Sequence, residues 1–306
     1  MSTKLMNFNL WDNEFLLFYT AMHTNNLIIQ QKKKYYQPIK IAHRVFEASG
    51  GSCSICPYIL LHGLMENKEN WKAIPQLLAD VTKRKVYTYD ARNHGESEHS
   101  MDSNFDNNIY DLYHFMDKIE VYRAVLVGHN MGGMTAIQAA LQQPDRIEQA
   151  FIVDMNVEKM PCERVNQYLV YMKSLAVNLR YVPDDLPRPN MALVRYPPSN
   201  EELKNMEYLK RSVLTFRCLA LMDALVQYEI SPTIPHNGMY NDPIYFIYGT
   251  FSKYFAKDHT VRIIDNTIRH FPLAKFHKFW GPTSQGVFEA PNEFVEFIAT
   301  KHLNLH

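Results

Sequence analysis

Apolar residues recur along the chain in two alternating patterns: short runs that suit β-strands and longer stretches at the helical period. The short runs predict strands at residues 38–46, 58–61, 86–89, 124–127, 150–153, 244–248 and 274–279. The longer stretches predict helices at residues 71–81, 105–119, 131–143, 261–270 and 292–302. Strands that alternate with helices predict an α/β fold, in which a mostly parallel central sheet has helices on both faces.

Residues 156–240 interrupt this alternation. This segment includes a proline-rich stretch at 183–198, and its sequence does not fit a strand–helix–strand unit. We therefore predict an N-terminal extension at 1–36, a core formed by 37–155 and 241–306, and an inserted helical cap at 156–240. The cap is rich in Met, Leu and Tyr, which suits either an apolar cavity or the interior of the cap itself.

A turn of the form Gly-x-x-x-Gly joins the strand predicted at 124–127 to the helix that follows it. This is the layout of a nucleophile elbow, in which the reactive residue is held at a strained turn position. Gly128 and Gly132 are the elbow glycines, since a side chain at either would block close packing of strand against helix. The centre of such an elbow is normally Ser, but here it is Asn130. A carboxamide has no ionisable O–H or S–H group that a base could activate.

Composition narrows the possible partners. Lys plus Arg and Asp plus Glu number 32 each, so no global field favours nucleic acid or an anionic membrane, and we expect no nucleic-acid partner. The 4 cysteines are too few for a disulfide scaffold and favour a reducing compartment. Cys53 and Cys56 lack a second pair at zinc-ligand spacing, and His129 lacks a His or Cys partner for a metal. We predict no metal and no cofactor.

The N-terminal extension contains an apolar stretch at 15–29. Polar residues interrupt it, and it is too short to span a bilayer, so we expect a protein that is not transmembrane. It lacks the small-residue cleavage pattern of a secretory signal. Asp12 and Glu14, with no arginine before Arg44, make it a poor transit peptide. We expect residues 1–36 to pack on the core or to stay mobile.

Three motifs appear in a fixed order: His-Gly-Leu-Met at 62–65, Asp-Ala-Arg-Asn-His-Gly-Glu-Ser at 90–97, and Gly-His-Asn-Met-Gly-Gly at 128–133. Over residues 38–303 this order resembles the α/β-hydrolase superfamily, and the motifs most resemble the abhydrolase domain-containing protein 11 family. The resemblance implies an α/β-hydrolase fold and the activity of a serine esterase or lipase. It also implies a mitochondrial address, because the animal members are mitochondrial; a cytoplasmic location is the alternative.

The resemblance also assigns site residues. It places the oxyanion-hole donors at the backbone N–H groups of Leu64 and Met131, and the acid at Asp154. Counted back from the proline that opens the last helix, the position of the catalytic His holds Ser284. The other usual acid position holds Lys253. Nucleophile and base are therefore both substituted.

Other residues do not restore these roles. His270 and His277 fall at a helix end and inside a strand, so we interpret both as structural or surface residues. Without a His to orient, we expect Asp154 to cap a loop or to pair with a cation such as Lys253 or Arg92. We expect the loop at 90–97 to buttress the oxyanion strand through hydrogen bonds.

Two accounts of Asn130 itself remain. Deamidation would create a carboxylate nucleophile, which the strained turn and the following Met131 disfavour. A sequencing error or an engineered Ser→Asn trap would explain Asn130 alone, but not Ser284 as well.

Three hypotheses about function follow. The first is a pseudoenzyme that binds a small acyl or lipid-like ligand, or a protein partner, through the former acyl pocket. The second is an active ester or lipid hydrolase with a rearranged site, in which Ser252 or Ser284 serves as a displaced nucleophile. The third is a scaffold protein with a closed pocket.

Overall fold

A computed structural model describes residues 36–64, 66–100, 105–158, 238–250, 252, 255, 260–279 and 286–303. The proposed N-terminal extension, apart from residue 36, lies outside the described residues, as does the cap apart from residues 156–158 and 238–240. The boundaries of both parts therefore stay predictions. No helix in the described part of the chain is long and apolar enough to cross a membrane.

The described strands form one sheet. They are β1 (His43–Phe46), β2 (Cys53–Leu61), β3 (Arg84–Tyr89), β4 (Ala124–His129), β5 (Ile147–Val153), β6 (Ile244–Tyr248) and β7 (Ala274–Lys278). Their order across the sheet is β1-β3-β2-β4-β5-β6-β7. β1 runs antiparallel to β3, and every other neighbouring pair is parallel. The predicted α/β class with a mostly parallel sheet is confirmed.

Helices follow the strands as the apolar period predicts. They are α1 (Ile74–Thr82), α2 (Phe105–Lys118), α3 (Met131–Gln142), α4 (Thr260–His270), the short α5 (Gly286–Glu289) and α6 (Pro291–Leu303). The helix predicted at 71–81 starts later, because Trp71 ends a separate 3-10 turn. Lys72 then adopts a φ of 51°, which breaks the helical path, and Pro75 stands in the first turn of α1.

The strand predicted at 38–46 is also shorter than expected. Ile39 and Ile41 are buried, but the backbone before His43 bonds to a loop instead of a strand. The N–H of Lys40 donates to the Glu98 carboxylate at 2.8 Å, and the N–H of Ala42 donates to the Ser97 hydroxyl at 2.9 Å. The apolar alternation reports burial correctly, whereas the partners of the backbone decide whether a strand forms.

Alternate residues of each central strand pack on opposite faces of the sheet. In β4, Ala124 and Leu126 belong to a core shared with α2 and α3. Val125 and Val127 belong to a second core shared with α1 and α6. Both faces are thus covered, which explains why the central strands read as continuous apolar runs.

The amino ends of the parallel strands carry a polar cluster that fastens α6 to the sheet. His302 contacts the Tyr58 hydroxyl through Nδ1 and the Glu148 carboxylate through Nε2, the latter at 2.7 Å. Burial and then the adjacent Glu148 raise the pKa of the Cys56 thiol to about 11, so this thiol stays protonated at neutral pH. The described residues contain no group of His, Cys, Asp or Glu side chains able to hold a metal.

Substitution of Gly132 by Ala tests how closely α3 approaches β2. A Cβ at Gly132 would lie 2.2 Å from the carbonyl oxygen of Leu61, and backbone cannot move aside as a flexible side chain can. We expect Gly132→Ala to lower the free energy of unfolding by about 3 kcal/mol or more. Urea denaturation followed by circular dichroism measures this change.

Gly51→Ala is the matched control for that substitution. Gly51 has a φ of 97°, but an added Cβ would have nothing within 4 Å, so the substitution adds only backbone strain. We expect a loss of about 1 kcal/mol there. Equal losses for the two variants would contradict the close approach at Gly132.

Candidate active site

Three loops meet at the carboxyl edge of the sheet, where the parallel strands β2, β4 and β5 end side by side. Backbone hydrogen bonds tie them together. The N–H of Gly132 donates to the carbonyl of His62 at 3.0 Å, and the N–H of Asn130 donates to the carbonyl of Val153 at 3.0 Å. The residues after each strand, which are the predicted oxyanion loop, elbow and acid position, are thereby brought together.

Asn130 occupies the apex of a strained turn between β4 and α3. Its φ is 48° and its ψ is −112°, outside the regions that residues with a Cβ usually adopt. Its carbonyl accepts the N–H of Met134 at 3.0 Å, so α3 starts directly from it. A Cβ at Gly128 would lie 2.4 Å from the carbonyl oxygen of Gly132, which explains the small residue there. Together these features match the backbone geometry predicted for a nucleophile elbow; the assignment of Asn130 to its nucleophile position stays a prediction.

The side chain of Asn130 points toward the predicted oxyanion hole. Its Oδ1 accepts the N–H of Leu64 in a long hydrogen bond of 3.5 Å. Leu64 is one of the two donors that the family resemblance assigns to the oxyanion. Asn130 therefore places its own carbonyl oxygen beside a donor that the family resemblance assigns to the oxyanion.

An ion pair that the sequence does not reveal lies beside the elbow. One oxygen of Glu66 accepts the N–H of Gly63 at 2.7 Å and contacts Nδ1 of His129 at 3.0 Å. Burial opposes charge on both groups, but their mutual attraction and hydrogen bond lower the pKa of Glu66 below 4.5 and raise that of His129 above 6.5. His129, predicted not to bind metal, thus pairs with a carboxylate.

Asp154 sits in a second tight turn after β5, with a φ of 48°. Its N–H donates to the carbonyl of Ile247 at 2.8 Å, which fixes it beside the end of β6. Its carboxylate accepts a hydrogen bond from the hydroxyl of Ser252. The residue at the acid position therefore binds a serine.

The expected pairing of Asp154 with Arg92 is wrong. The Arg92 guanidinium instead forms a buried, bidentate pair with Asp111, at 2.7 and 2.8 Å. Two parallel N–H···O bonds satisfy the fork of an arginine better than a single contact does. The other suggested partner, Lys253, lies outside the described residues.

The loop at residues 90–97 buttresses the oxyanion strand. Asp90 is buried and accepts the backbone N–H of Lys68 at 2.7 Å, the Lys68 ammonium at 2.7 Å and the N–H of Glu96 at 2.8 Å. The N–H of Ala91 donates to Nε2 of His62 at 2.9 Å, so Nδ1 of His62 carries the proton and donates to the carbonyl of Gly63. These bonds hold the loop that carries Leu64.

One further predicted site position and two histidines remain to be placed. Ser284, in the position of the catalytic His, lies outside the described residues, so its substitution rests on the sequence. The histidines that could have replaced it have structural contacts. His270 ends α4 with its ring against the carbonyl of Gly238 at 2.9 Å, and His277 lies within β7 with its ring stacked on Phe297 at 4.2 Å.

A family model described as "alpha/beta hydrolase fold" matches residues 57–280. The chain belongs to this family. It is 29% identical over 279 residues to the sn-1-specific diacylglycerol lipase ABHD11 of Danio rerio, and this alignment covers 86% of the chain and 82% of that protein. It is 24% identical to Ethanol acetyltransferase 1 of Cyberlindnera fabianii, with 79% and 78% covered. The resemblance to ABHD11 proteins that the three motifs predict is confirmed.

Solved structures of α/β hydrolases share the same fold. A marine microorganism esterase superposes with a TM-score of 0.61 at 21% identity, over 85% of this chain and 98% of that one. Potato (Solanum tuberosum) epoxide hydrolase StEH1 superposes with a TM-score of 0.60 at 16% identity, over 87% and 100%. Identities this low show the α/β-hydrolase fold alone.

The Glu66–His129 pair predicts how stability depends on pH. Because folding lowers the pKa of Glu66, this group adds to the free energy of unfolding above pH 4.5, and the addition is lost as the pH falls through its pKa in the folded protein. Because folding raises the pKa of His129, this group adds to the free energy of unfolding below pH 6.5, and the addition is lost as the pH rises through its pKa in the folded protein. We expect the free energy of unfolding of Glu66→Gln to fall less steeply above pH 6.5 than that of the wild type. Urea denaturation between about pH 5.5 and about pH 8.5 measures both slopes.

Glu96→Gln serves as the control, because its carboxylate pairs with Lys68 and is largely exposed. Lysine does not titrate in this pH range, so the slope of this variant should match that of the wild type. A Glu66→Gln curve that runs parallel to the wild-type curve throughout would refute a charged Glu66–His129 pair.

Proposed function

We propose that this α/β hydrolase of the ester and lipid type is a pseudoenzyme that binds a small acyl or lipid-like ligand at the former catalytic centre. The observation that carries the proposal is the carboxamide of Asn130 at the apex of the elbow, with its oxygen on the N–H of Leu64. Acyl transfer on this fold requires a hydroxyl or thiol that a base can deprotonate, and Asn130 supplies neither.

The remaining parts of the centre support the same conclusion. The position of the base holds Ser284, and the acid Asp154 is bonded to Ser252. Loss of one triad member lowers turnover by about 10⁴- to 10⁶-fold, and further losses add little because the members act as a unit. We infer at most the weak background that an oxyanion hole alone provides.

The names of two relatives support the proposed ligand class. The Danio rerio relative is named a diacylglycerol lipase, and the Cyberlindnera fabianii relative is named an acetyltransferase for ethanol. Both names describe acyl groups bound to an oxygen. We propose an acyl- or lipid-like ligand for this chain, and a mitochondrial location by analogy with ABHD11 proteins.

Hydrolysis of p-nitrophenyl butyrate tests the loss of catalysis. We expect the wild type to match Asn130→Ala, because neither side chain offers a nucleophile. We expect the double variant Asn130→Ser/Ser284→His to gain activity over both, since it restores a hydroxyl at the elbow and a histidine at the position that the family resemblance assigns to the base. Wild-type turnover well above that of Asn130→Ala would refute the pseudoenzyme. Mass spectrometry of lipid extracted from the purified protein separates a binding protein from a scaffold with a closed pocket.

A second candidate, an ester or lipid hydrolase with a rearranged site, is favoured by one contact. The hydroxyl of Ser252 donates to the Asp154 carboxylate, so a serine and a proton acceptor are adjacent. If this pair were catalytic, Ser252→Ala would abolish wild-type esterase activity while Asn130→Ala would leave it. The matched control is Ser52→Ala, which also removes a serine hydroxyl. Ser52 is distant from Ser252 in the chain, and its Oγ accepts the N–H of Ala48.

A further inference from the structure

Glu66 binds both peptide groups that flank Gly63. Its carboxylate accepts the N–H of Gly63 at 2.7 Å, and its own N–H donates to the carbonyl of Gly63 at 3.2 Å. Nδ1 of His62 donates to the same carbonyl at 2.7 Å. Because Gly63 has no Cβ, its backbone can rotate more freely than that of other residues. The orientation of both peptide groups therefore depends on these hydrogen bonds.

The second of these peptide groups carries the N–H of Leu64. A peptide group is planar and trans, so its N–H points away from its carbonyl oxygen. The bonds to the carbonyl of Gly63 therefore set the direction of the Leu64 N–H, which faces the elbow residue Asn130. Leu64 is one of the two oxyanion donors that the family resemblance assigns. Glu66 thus contributes to the orientation of an oxyanion donor.

His129 is the group that stabilises the Glu66 carboxylate in this position. Nδ1 of His129 lies 3.0 Å from the same Glu66 oxygen that binds Gly63. A Cβ at Gly63 would lie 2.9 Å from that oxygen and 3.0 Å from Nδ1, so the loop packs directly on the pair. The side chains of His129 and Glu66 are only 6% and 13% exposed. A carboxylate this buried is costly without a charged partner.

The titratable groups around His129 favour its charged form. Burial opposes the charge, but Glu66 and then Asp154 attract it, and the pKa of His129 is raised above 6.5. His62 faces the pair from the end of β2, and burial above all lowers its pKa below 6.5, so it stays neutral. From α5 the uncharged ring of Phe288 faces the imidazole, with 5.3 Å between the ring centroids. As the pH rises above neutrality, His129 is therefore the member of this set that loses its charge.

The other assigned donor, the N–H of Met131, is positioned in a different way. Met131 is the first residue of α3, and the next residue, Gly132, donates its N–H to the carbonyl of His62 at 3.0 Å. A Cβ at Gly132 would lie 2.2 Å from the Leu61 carbonyl oxygen, so close packing fixes the start of α3 against β2. Backbone atoms make both contacts, and they do not titrate. One donor is thus fixed by packing, and the other depends on an ion pair.

We propose that Glu66, paired with protonated His129, is a positioning residue that orients the Leu64 donor, and that loss of the His129 proton lets this donor rotate away. Once His129 is neutral, the buried carboxylate loses its charged partner and gains hydration by turning outward, which frees the N–H of Gly63. The carbonyl of an acyl ligand then has both donors on the acidic side of the His129 titration and Met131 alone on the alkaline side. This inference rests on the proposed function and adds a pH control to the same site.

Nuclear magnetic resonance of the full chain measures the motion of the Leu64 N–H. Gly63–Leu64 is the only Gly-Leu pair in the sequence, so carbonyl-¹³C glycine combined with ¹⁵N leucine isolates the Leu64 signal. Met131–Gly132 is likewise the only Met-Gly pair, and its signal reports the start of α3. On the acidic side of the His129 ring titration we expect order parameters of about 0.85 for both N–H groups. On the alkaline side we expect a value below about 0.6 for Leu64 alone.

Three variants separate positioning from general loosening. Glu66→Gln removes the negative charge, so we expect Leu64 to be mobile on both sides of that pH range. Glu66→Asp keeps a carboxylate and should recover part of the order on the acidic side. His302→Gln is the matched control, because it removes the histidine of another His–Glu pair, 2.7 Å from Glu148 at the amino ends of the strands. It should leave the motion of Leu64 as in the wild type.

The wild type alone can overturn the inference. A Leu64 N–H that is equally ordered on both sides of the titration would do so, as would equal loosening of Leu64 and Gly132, or loosening of Leu64 by His302→Gln. The measurement uses no substrate, so its failure leaves the pseudoenzyme untouched. Wild-type ester hydrolysis well above that of Asn130→Ala would instead refute the pseudoenzyme and leave the positioning of Leu64 intact, because an oxyanion donor serves a bound and a reacting carbonyl alike.

Discussion

The backbone approach between α3 and β2 is the constraint on which the site depends. A Cβ at Gly132 would lie 2.2 Å from the Leu61 carbonyl oxygen, so only glycine allows the elbow to sit against the end of β2. That position brings Asn130 within reach of the N–H of Leu64. Because the constraint is on the backbone, it holds whichever side chain stands at residue 130. The elbow geometry therefore does not depend on a serine at its apex.

The sequence predicts the elements of the core well because its periodicity follows burial. The errors fall where the backbone finds other partners. β2 begins at Cys53, earlier than the apolar run at 58–61 that predicted it. The sequence pattern misses this first part because the strand is irregular around Cys56, whose φ is 46°. Trp71 is predicted to be helical because a buried 3-10 turn and a helix share the same apolar signal.

The sequence likewise locates some residues of the site but not the contacts that they make. The elbow residue Asn130 and the acid Asp154 can be placed from sequence, because strand ends fix both. The contact of Glu66 with His129 and that of Ser252 with Asp154 cannot be predicted, because each joins residues far apart in the chain. For Arg92 the sequence contains many carboxylates and no means to choose among them, and geometry selects Asp111.

In the proposed pseudoenzyme, the polar groups of the centre pair within the chain instead of with a substrate. A buried carboxylate without a partner is costly, so an acid position that lacks a catalytic His needs another donor. The Ser252 hydroxyl fills that need, while the Asn130 carboxamide faces the oxyanion donor. Catalysis requires these groups to be free for substrate, whereas stability favours their pairing within the chain. Pairing of these polar groups would not prevent the binding of a ligand's hydrocarbon part, because such binding depends on apolar surface and not on the triad.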